Sequence, residues 1–415
     1  MTDSPSPEAA LPDPKSPARR SPFERHPVLT LSLFVLFVVV ALDFGAAALL
    51  KSLGMFTPSY ASARQSELNY RTADRVLHHA LIPNVDCDVA VWGNARYRVH
   101  TNSLGFKDER VREVALKPER SRLLFIGDSF TEGVGVEYQQ TFVGRLGRTL
   151  SSRGVDVLNA GVASYSPIIY LRRIRYLLED VGLRFDRLVV FIDVSDIEDE
   201  ALAYAFDADG NVVARGGIVG DADRRRGGAA PEFEFKEFIS AHTIALGRLR
   251  NLAASVRGAL RGGPRPWTRA PTHRPAMWTL DEDLFREFGA EGLRIATNHM
   301  SELKALLDEH AIQLTIVVYP WPDQIWRRDL ESRQVRAWRE WAGEHDAQFI
   351  DLFPTFIDGS DPGQTLRADF IAGDVHWNAA GHARVAEAFL REYDRLNIES
   401  KDAPYRNASS PISVR

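Results

Sequence analysis

A single cysteine, Cys87, stands in the 415 residues. One thiol closes no internal disulfide and supplies no cysteine-type zinc site. Asp86 and Asp88 flank it and raise a thiol pKa, so Cys87 reads as inert rather than nucleophilic. Excess basic charge is also missing. Lys and Arg total 51 against 56 Asp and Glu, and a net charge of −5 leaves no electrostatic footprint for nucleic acid. The chain shows no internal repeats, which excludes solenoids and propellers. What it does contain is 45% hydrophobic residues beside 26% charged ones, the balance of a globular protein with a real core. The length suits one large domain or two ordinary ones.

Residues 1–26 are rich in Pro, Ser and charge and cannot bury a core, so they read as a disordered cytoplasmic tail. Residues 27–51 follow as a nearly uninterrupted apolar run, long enough at helical rise to cross a bilayer. Asp43 is the acid within it, expected at the headgroup level. Lys15, Arg19, Arg20 and Arg25 precede the run, and only Lys51 and Arg64 follow it within a similar distance. This bias places the N-terminus in the cytoplasm and the body outside the cytoplasmic (inner) membrane, held by a single pass. The rival reading, a cleaved signal peptide, draws on Ala46-Ala47-Ala48. Either reading exports the body of the chain.

No strong period marks the text from residue 52 to 115, and 52–120 reads as a stalk and lead-in. Asn102-Ser103-Leu104-Gly105 suggests a turn within it. From residue 121 the text alternates. Short apolar runs begin at RLLFIGD, VDVLNAG, DRLVVFIDV, QLTIVVYP and AQFIDLFP. Helix-like stretches lie between them, one carrying Phe142, Leu146 and Leu150 at a spacing of four. Five buried strands alternating with helices predict an α/β fold with a parallel sheet covered on both faces. The domain is expected over 121–396, with a flexible tail at 397–415. At about 200–285 an insertion or lid dense in Pro, Gly and Arg interrupts it. Its Arg224-Arg225-Arg226 run, with Arg261, Arg265 and Arg269, reads as a solvated loop or as a face toward an anionic glycan or headgroup.

Two motifs carry chemistry. FIGDSFTEGVGV, 125–136, ends a buried strand in Gly127-Asp128-Ser129. Ligands of open parallel sheets bind beyond the carboxyl ends of the strands, so Ser129 is the candidate nucleophile. The bland alternative is a helix N-cap. GDVHWNAAGH, 373–382, follows the fifth strand. A serine needs a base, which His376 supplies, and the base needs an orienting carboxylate, which Asp374 supplies. His382 reads as a capping or surface residue. Asp193, Asp196, Glu198 and Asp199 cluster after the third strand. They lack histidine and metal-ligand spacing, so a charged loop is expected there and no metal.

These blocks resemble the SGNH/GDSL hydrolase superfamily over roughly residues 121–395. The resemblance implies a flavodoxin-like three-layer α/β/α fold with a five-stranded parallel sheet, here preceded by one N-terminal transmembrane helix. It implies ester hydrolysis or acyl transfer without metal or cofactor. Membrane-tethered relatives act on acylated carbohydrates of the cell envelope, which makes an acylated carbohydrate or small ester the expected partner. The family's second block reads Asn-Ala-x-x-x-Gly; here it is NAGVAS, with Ser164 in the glycine's place. Its third block carries Asn-Asp; here the pair is Ser195-Asp196. The implied oxyanion hole is therefore Ser129, Ser164 and Ser195. Loss of one such donor costs about 2.7–4 kcal/mol in the transition state. Asp128, Trp321 and Trp377 are the expected substrate-binding residues; Trp321, Trp326 and Trp377 suit stacking on sugar rings, with packing of the loops the alternative for at least two of them. The other class of function is a non-catalytic envelope protein on the same fold, tied to polysaccharide assembly. Nothing in the sequence sets the oligomeric state.

Overall fold

The computed structural model describes residues 26–52, 66–92, 95–215, 243, 245 and 267–402. Most of the proposed tail at 1–26, the Arg224–226 run, Arg261 and Arg265 lie outside the described residues. The chain divides into two units, one made of residues 1–60 with 235–255 and one made of 61–234 with 256–415.

In the first unit, α1 (Pro27–Ser52) is a single helix. Its stretch Pro27–Leu49 is long and apolar enough to cross a membrane. Apolar residues surround it on all sides, and Leu31, Phe34, Phe37 and Leu42 are exposed. Asp43 is buried and accepts from the Ala245 N–H at 2.9 Å.

The second unit opens with five short strands where a stalk was expected. They are β1 (Arg71–Asp74), β2 (His78–Leu81), β3 (Asp86–Trp92), β4 (Ala95–Thr101) and β5 (Lys107–Asp108). β1 and β2 form an antiparallel pair, and β3, β4 and β5 an antiparallel sheet. The turn at 102–105 is present: Asn102 C=O accepts from Gly105 N–H at 2.9 Å, and Gly105 has φ +69°. Tyr70, Leu77, Tyr97, Val99 and Phe106 are buried in the same core as the main sheet. Residues 66–115 are therefore a packed module rather than a stalk. The sequence concealed it because each strand is short and the pairing of β3 with β4 slips between Cys87 and Ala90. Cys87 is buried, which pushes its thiol pKa up, with Asp88 and Asp86 adding to the effect.

All five expected strands form the main sheet. They are β6 (Ser121–Ile126), β7 (Val155–Asn159), β8 (Arg187–Ile192), then, after the hairpin β9 (Tyr204–Phe206) and β10 (Val212–Ala214), β11 (Gln313–Val318) and β12 (Gln348–Asp351). Their order is β12-β11-β8-β6-β7, with every pairing parallel. Every residue of the central β8 is buried, as a strand covered on both faces requires. Counted within the sheet alone the order is 2-1-3-4-5, the flavodoxin-like arrangement. Its direction reverses between β6 and β8, and a crevice opens there beyond the strand ends.

Helices flank the sheet. α2 (Ser129–Glu132) follows β6 directly, and α3 (Phe142–Ser151) buries Phe142, Leu146 and Leu150 as the spacing predicts. α4 (Pro167–Arg175), α5 (Asp196–Leu202) and α6 (Ala290–Glu309) pack together. α7 (Pro322–Arg327) and α8 (Arg333–Glu344) follow β11. α9 (Pro362–Asp369) and α10 (Ala379–Asp402) close the chain, with α10 against α3. α10 runs through residues 397–402, which were expected in the tail; 403–415 lie outside the described residues. Within the expected insertion, 267–285 packs onto the domain. Trp278 is fully buried, and its indole N–H donates to Val194 C=O at 2.8 Å. Arg269 is exposed.

Candidate active site

β6 delivers Gly127-Asp128-Ser129 to the crevice beside β8. No side chain fits at Gly127: a Cβ there would meet Thr131 Oγ1 at 2.2 Å and Phe191 C=O at 2.8 Å. Asp128 caps α2 by accepting from Phe130 N–H at 2.9 Å, which fixes Ser129 as the first residue of the turn.

Ser129 and His376 are 247 positions apart, yet Ser129 Oγ lies 2.7 Å from His376 Nε2. The other ring nitrogen, Nδ1, is 2.5 Å from Asp374 Oδ1. The same oxygen accepts from His376 N–H at 3.0 Å. Gly373 at φ +76° and the bond from Ile371 N–H to His376 C=O at 2.9 Å hold this loop in a tight return. Ser129 and His376 are 8% and 7% exposed, so the pair sits in a narrow recess. Burial pushes the Asp374 carboxyl up, but hydrogen bonds from His376 and Trp92 outweigh it and hold the carboxyl below its usual range. A hydroxyl bonded to an imidazole that is fixed by a carboxylate can lose its proton as it attacks a carbonyl.

The loop after β7 runs beside this turn. Val162 N–H donates to Gly127 C=O at 3.1 Å, and Ala163 N–H donates to Glu132 Oε2 at 2.9 Å. Ser164 has φ +65°, in the left-handed region that favours glycine. The N–H groups of Ser129 and Ser164 make no hydrogen bond to the described residues.

Ser195 faces elsewhere. Its hydroxyl donates to Asp193 Oδ1 at 2.5 Å, and its N–H donates to the same oxygen at 2.7 Å. Asp193 also accepts from Trp321 Nε1–H at 2.7 Å. Asp128, Asp193 and Asp196 bring carboxylate oxygens within 4.8 Å of one another, all three buried. They form a buried acid cluster where a charged loop was expected. Burial raises all three carboxyls, and their mutual repulsion raises Asp128 and Asp196 further. Hydrogen bonds from Ser195 and Trp321 to Asp193 oppose that rise. Tyr319 OH donates to Asp128 at 3.2 Å and Tyr170 OH to Asp196 at 2.9 Å.

Sequence analysis missed four residues that brace this site. Glu132, in the turn of Ser129, pairs with buried Arg71 at 2.6 Å. Lys107 Nζ donates to Gly133 C=O at 2.6 Å and Val136 C=O at 2.8 Å, and burial pushes its ammonium down to about 7. Trp92 Nε1–H donates to Asp374 Oδ2 at 3.1 Å. Glu132 lies within the 125–136 motif; Arg71 and Trp92 carry no local motif. A separate cleft, lined by Arg122, Arg148 and Asp156 among others, lies at the opposite ends of β6 and β7 and holds none of these groups.

The pattern of the GDSL-like lipase/acylhydrolase family matches residues 125–384, more than half of the chain, which include Ser129, Asp374 and His376. The chain belongs to that family. It is an ester-bond hydrolase on a helix-flanked parallel sheet. No curated protein matches this GDSL-like chain. Among solved structures it is similar to TesA at 13% identity, covering 66% of this chain and 99% of the other, with a TM-score of 0.35. It is similar to Axe2, an acetylxylan esterase from Geobacillus stearothermophilus, at 14% identity, covering 67% and 96%, with a TM-score of 0.35. It is similar to the psychrotrophic esterase EstA from Pseudoalteromonas sp. at 10% identity, covering 67% and 98%, with a TM-score of 0.34.

Within this hydrolase, three expected substrate residues are buried. Trp377 is fully buried against Phe130, Tyr319 and Phe356, so it cannot stack on a sugar. Trp321 is 7% exposed, and Asp128 is 4% exposed and bonded on both sides. Trp377 is packing beneath its motif, whereas Trp321 is as accessible as His376. His382 is likewise no surface residue. It is buried and accepts from Phe142 N–H at 3.2 Å, capping α3 from across the layer. Burial, with Lys107 nearby, holds its pKa well below normal and keeps it neutral, as an acceptor must be.

Proposed function

We propose that Ser129 is the nucleophile, His376 its general base and Asp374 the carboxylate that orients the base. The supporting observation is the unbroken chain of hydrogen bonds from Ser129 Oγ through the imidazole to Asp374 at the reversal point of the sheet. As Oγ attacks the ester carbonyl carbon, its proton moves to His376 Nε2. The carbonyl π electrons go to oxygen, which the N–H groups of Ser129 and Ser164 receive. Collapse expels the alcohol, which takes the proton from His376. Water, activated by the same imidazole, then releases the acyl group as acid. A sugar hydroxyl in place of that water would give acyl transfer. Ser195 supplies no hydroxyl to this oxyanion while it is bonded to Asp193.

The substrate we propose is a small acyl ester, an acetyl group on a cell-envelope carbohydrate. A recess in which Ser129 and His376 are more than nine-tenths buried suits a short acyl chain. The detergent-solubilised full chain should hydrolyse p-nitrophenyl acetate with kcat/KM at least about 10-fold above the octanoate. Faster octanoate turnover would reject the small-acyl reading. No turnover, with Ser129 unlabelled by a fluorophosphonate probe, would favour the non-catalytic envelope protein. Adding an oligosaccharide acceptor and following acetylated product by mass spectrometry separates transfer from hydrolysis.

The same reading takes α1 as a membrane anchor, with the basic tail in the cytoplasm and the hydrolase domain outside. A phosphatase reporter fused after residue 60 should then be active, as that enzyme is only beyond the cytoplasmic membrane. Activity from a cytoplasm-only reporter at the same site would overturn the topology and the envelope substrate with it.

A further inference from the structure

Asp374 stands on a short loop, and no helix or strand fixes its side chain. Its Oδ1 is committed to His376. Rotation about its outer bond would exchange the two oxygens or turn the carboxylate away from the ring. Oδ2 is held from outside the loop by Trp92 Nε1–H at 3.1 Å. Trp92 is the last residue of β3 and is 8% exposed. Its ring also stands edge-on to His376, with centroids 5.0 Å apart and planes at 86°. One indole thus anchors the acid and walls the base. Gly135 lies opposite: a Cβ there would be in ordinary contact with Trp92 Cδ1 at 3.7 Å and would collide with Ile371 Cδ1 at 2.6 Å.

β3 lies outside residues 125–384, the part of the chain that carries the family pattern. The same module reaches the nucleophile's side through Arg71 on Glu132 and Lys107 on Gly133 and Val136. We propose that Trp92 is a positioning residue for the Asp374–His376 pair, so that residues 66–115 complete the hydrolase site rather than merely precede it. This rests on the reading of Ser129, His376 and Asp374 given above. The physical basis is that a charge-assisted hydrogen bond from a rigid, packed donor fixes the plane of a carboxylate that its own backbone leaves free.

The test is a double-mutant cycle on the full chain with p-nitrophenyl acetate. Trp92→Phe keeps the aromatic bulk and removes the donor. It should lower kcat about 10-fold with KM within about twofold. It should also move the acid limb of the kcat/KM profile to higher pH, because a carboxylate that has lost a donor holds the imidazolium more firmly. In an Asp374→Asn background the same change should have less than about a twofold further effect, since Trp92 acts through Asp374. Should Trp92→Phe fail to fold, a benzothiophene side chain introduced at position 92 by codon suppression keeps the outline of the indole without its N–H. It should give the same shifts. An unchanged kcat and acid limb in either variant, or undiminished loss in the Asp374→Asn background, would overturn the proposal. Ser129→Ala retaining turnover would instead sink the underlying assignment, whatever Trp92 does.

Discussion

Ser129→Ala is expected to lower ester turnover by on the order of 10⁶-fold, the scale seen when a serine hydrolase loses its nucleophile. The methyl group cannot attack, and no neighbour can substitute. Asp128 is the nearest carboxyl, with Oδ2 3.2 Å from Ser129 Oγ, but it is buried and its pKa is pushed well up. It accepts from Phe130 N–H and Tyr319 OH as well, so it is locked as a cap. Folding should survive. The hydroxyl's contacts are to His376 at 2.7 Å and to Asp128, and their loss costs about 1–2 kcal/mol. Rate and melting temperature measured on the same preparation separate the two effects. Turnover within about tenfold of wild type, in a folded variant, would remove Ser129 from the mechanism.

The main sheet was legible in the sequence because its physics is local. A strand covered on both faces must be apolar throughout, and RLLFI, LVVFI and LTIVV are so. Ser129 and His376 were legible for a related reason. Each closes a strand-to-loop step whose glycines and small residues leave a readable trace. The N-terminal module was not legible. Its strands are two to seven residues long and β3 is bulged, so no period of two survives. Its contribution to the site depends on contacts such as Trp92 to Asp374, 282 positions apart, which leave no trace in local text.

Burial of polar-flanked residues was the other blind spot. Trp377 lies between His376 and Asn378, both polar, and the text suggests an exposed ring. The loop instead turns the indole inward, because Phe370 and Trp377 form an antiparallel bridge that places it over Phe130 and Phe356. Asp193 and Asp196 were read as part of a charged loop for the same reason. A run of acids looks like a surface, yet Ser195 and Trp321 donate to Asp193 and Tyr170 donates to Asp196 in the interior.

Asp374→Asn is expected to lower the rate by about 10⁴-fold, whereas Asp369→Asn should leave it within about threefold. The two acids compete for the same role in sequence, two and seven residues before His376. Their settings differ. Asp374 Oδ1 is 2.5 Å from His376 Nδ1, and the carboxyl is held below its usual range, so it remains ionised and acceptor-only wherever the enzyme works. It therefore keeps the ring proton on Nδ1 and leaves Nε2 free to accept from Ser129. An asparagine amide can present N–H₂ to Nδ1 instead. The proton then moves to Nε2, which becomes a donor toward Oγ and cannot take its proton. Asp369 ends α9 and lies 3.3 Å from Arg384 Nε; burial raises its carboxyl against the pull of that arginine. Its main-chain oxygen accepts from Asn378 N–H at 2.9 Å and so braces the loop without its side chain. Neutralising it weakens an ion pair between a buried carboxylate and a partly exposed arginine and leaves the imidazole untouched. The pH profile gives a second reading. Asp369→Asn should reproduce the wild-type shape at every pH, and Asp374→Asn should stay slow from acid to base because its tautomer does not titrate away. Rates in the reverse order would transfer the orienting role to Asp369 and would remove the basis of the Trp92 proposal, which rests on the bond to Asp374.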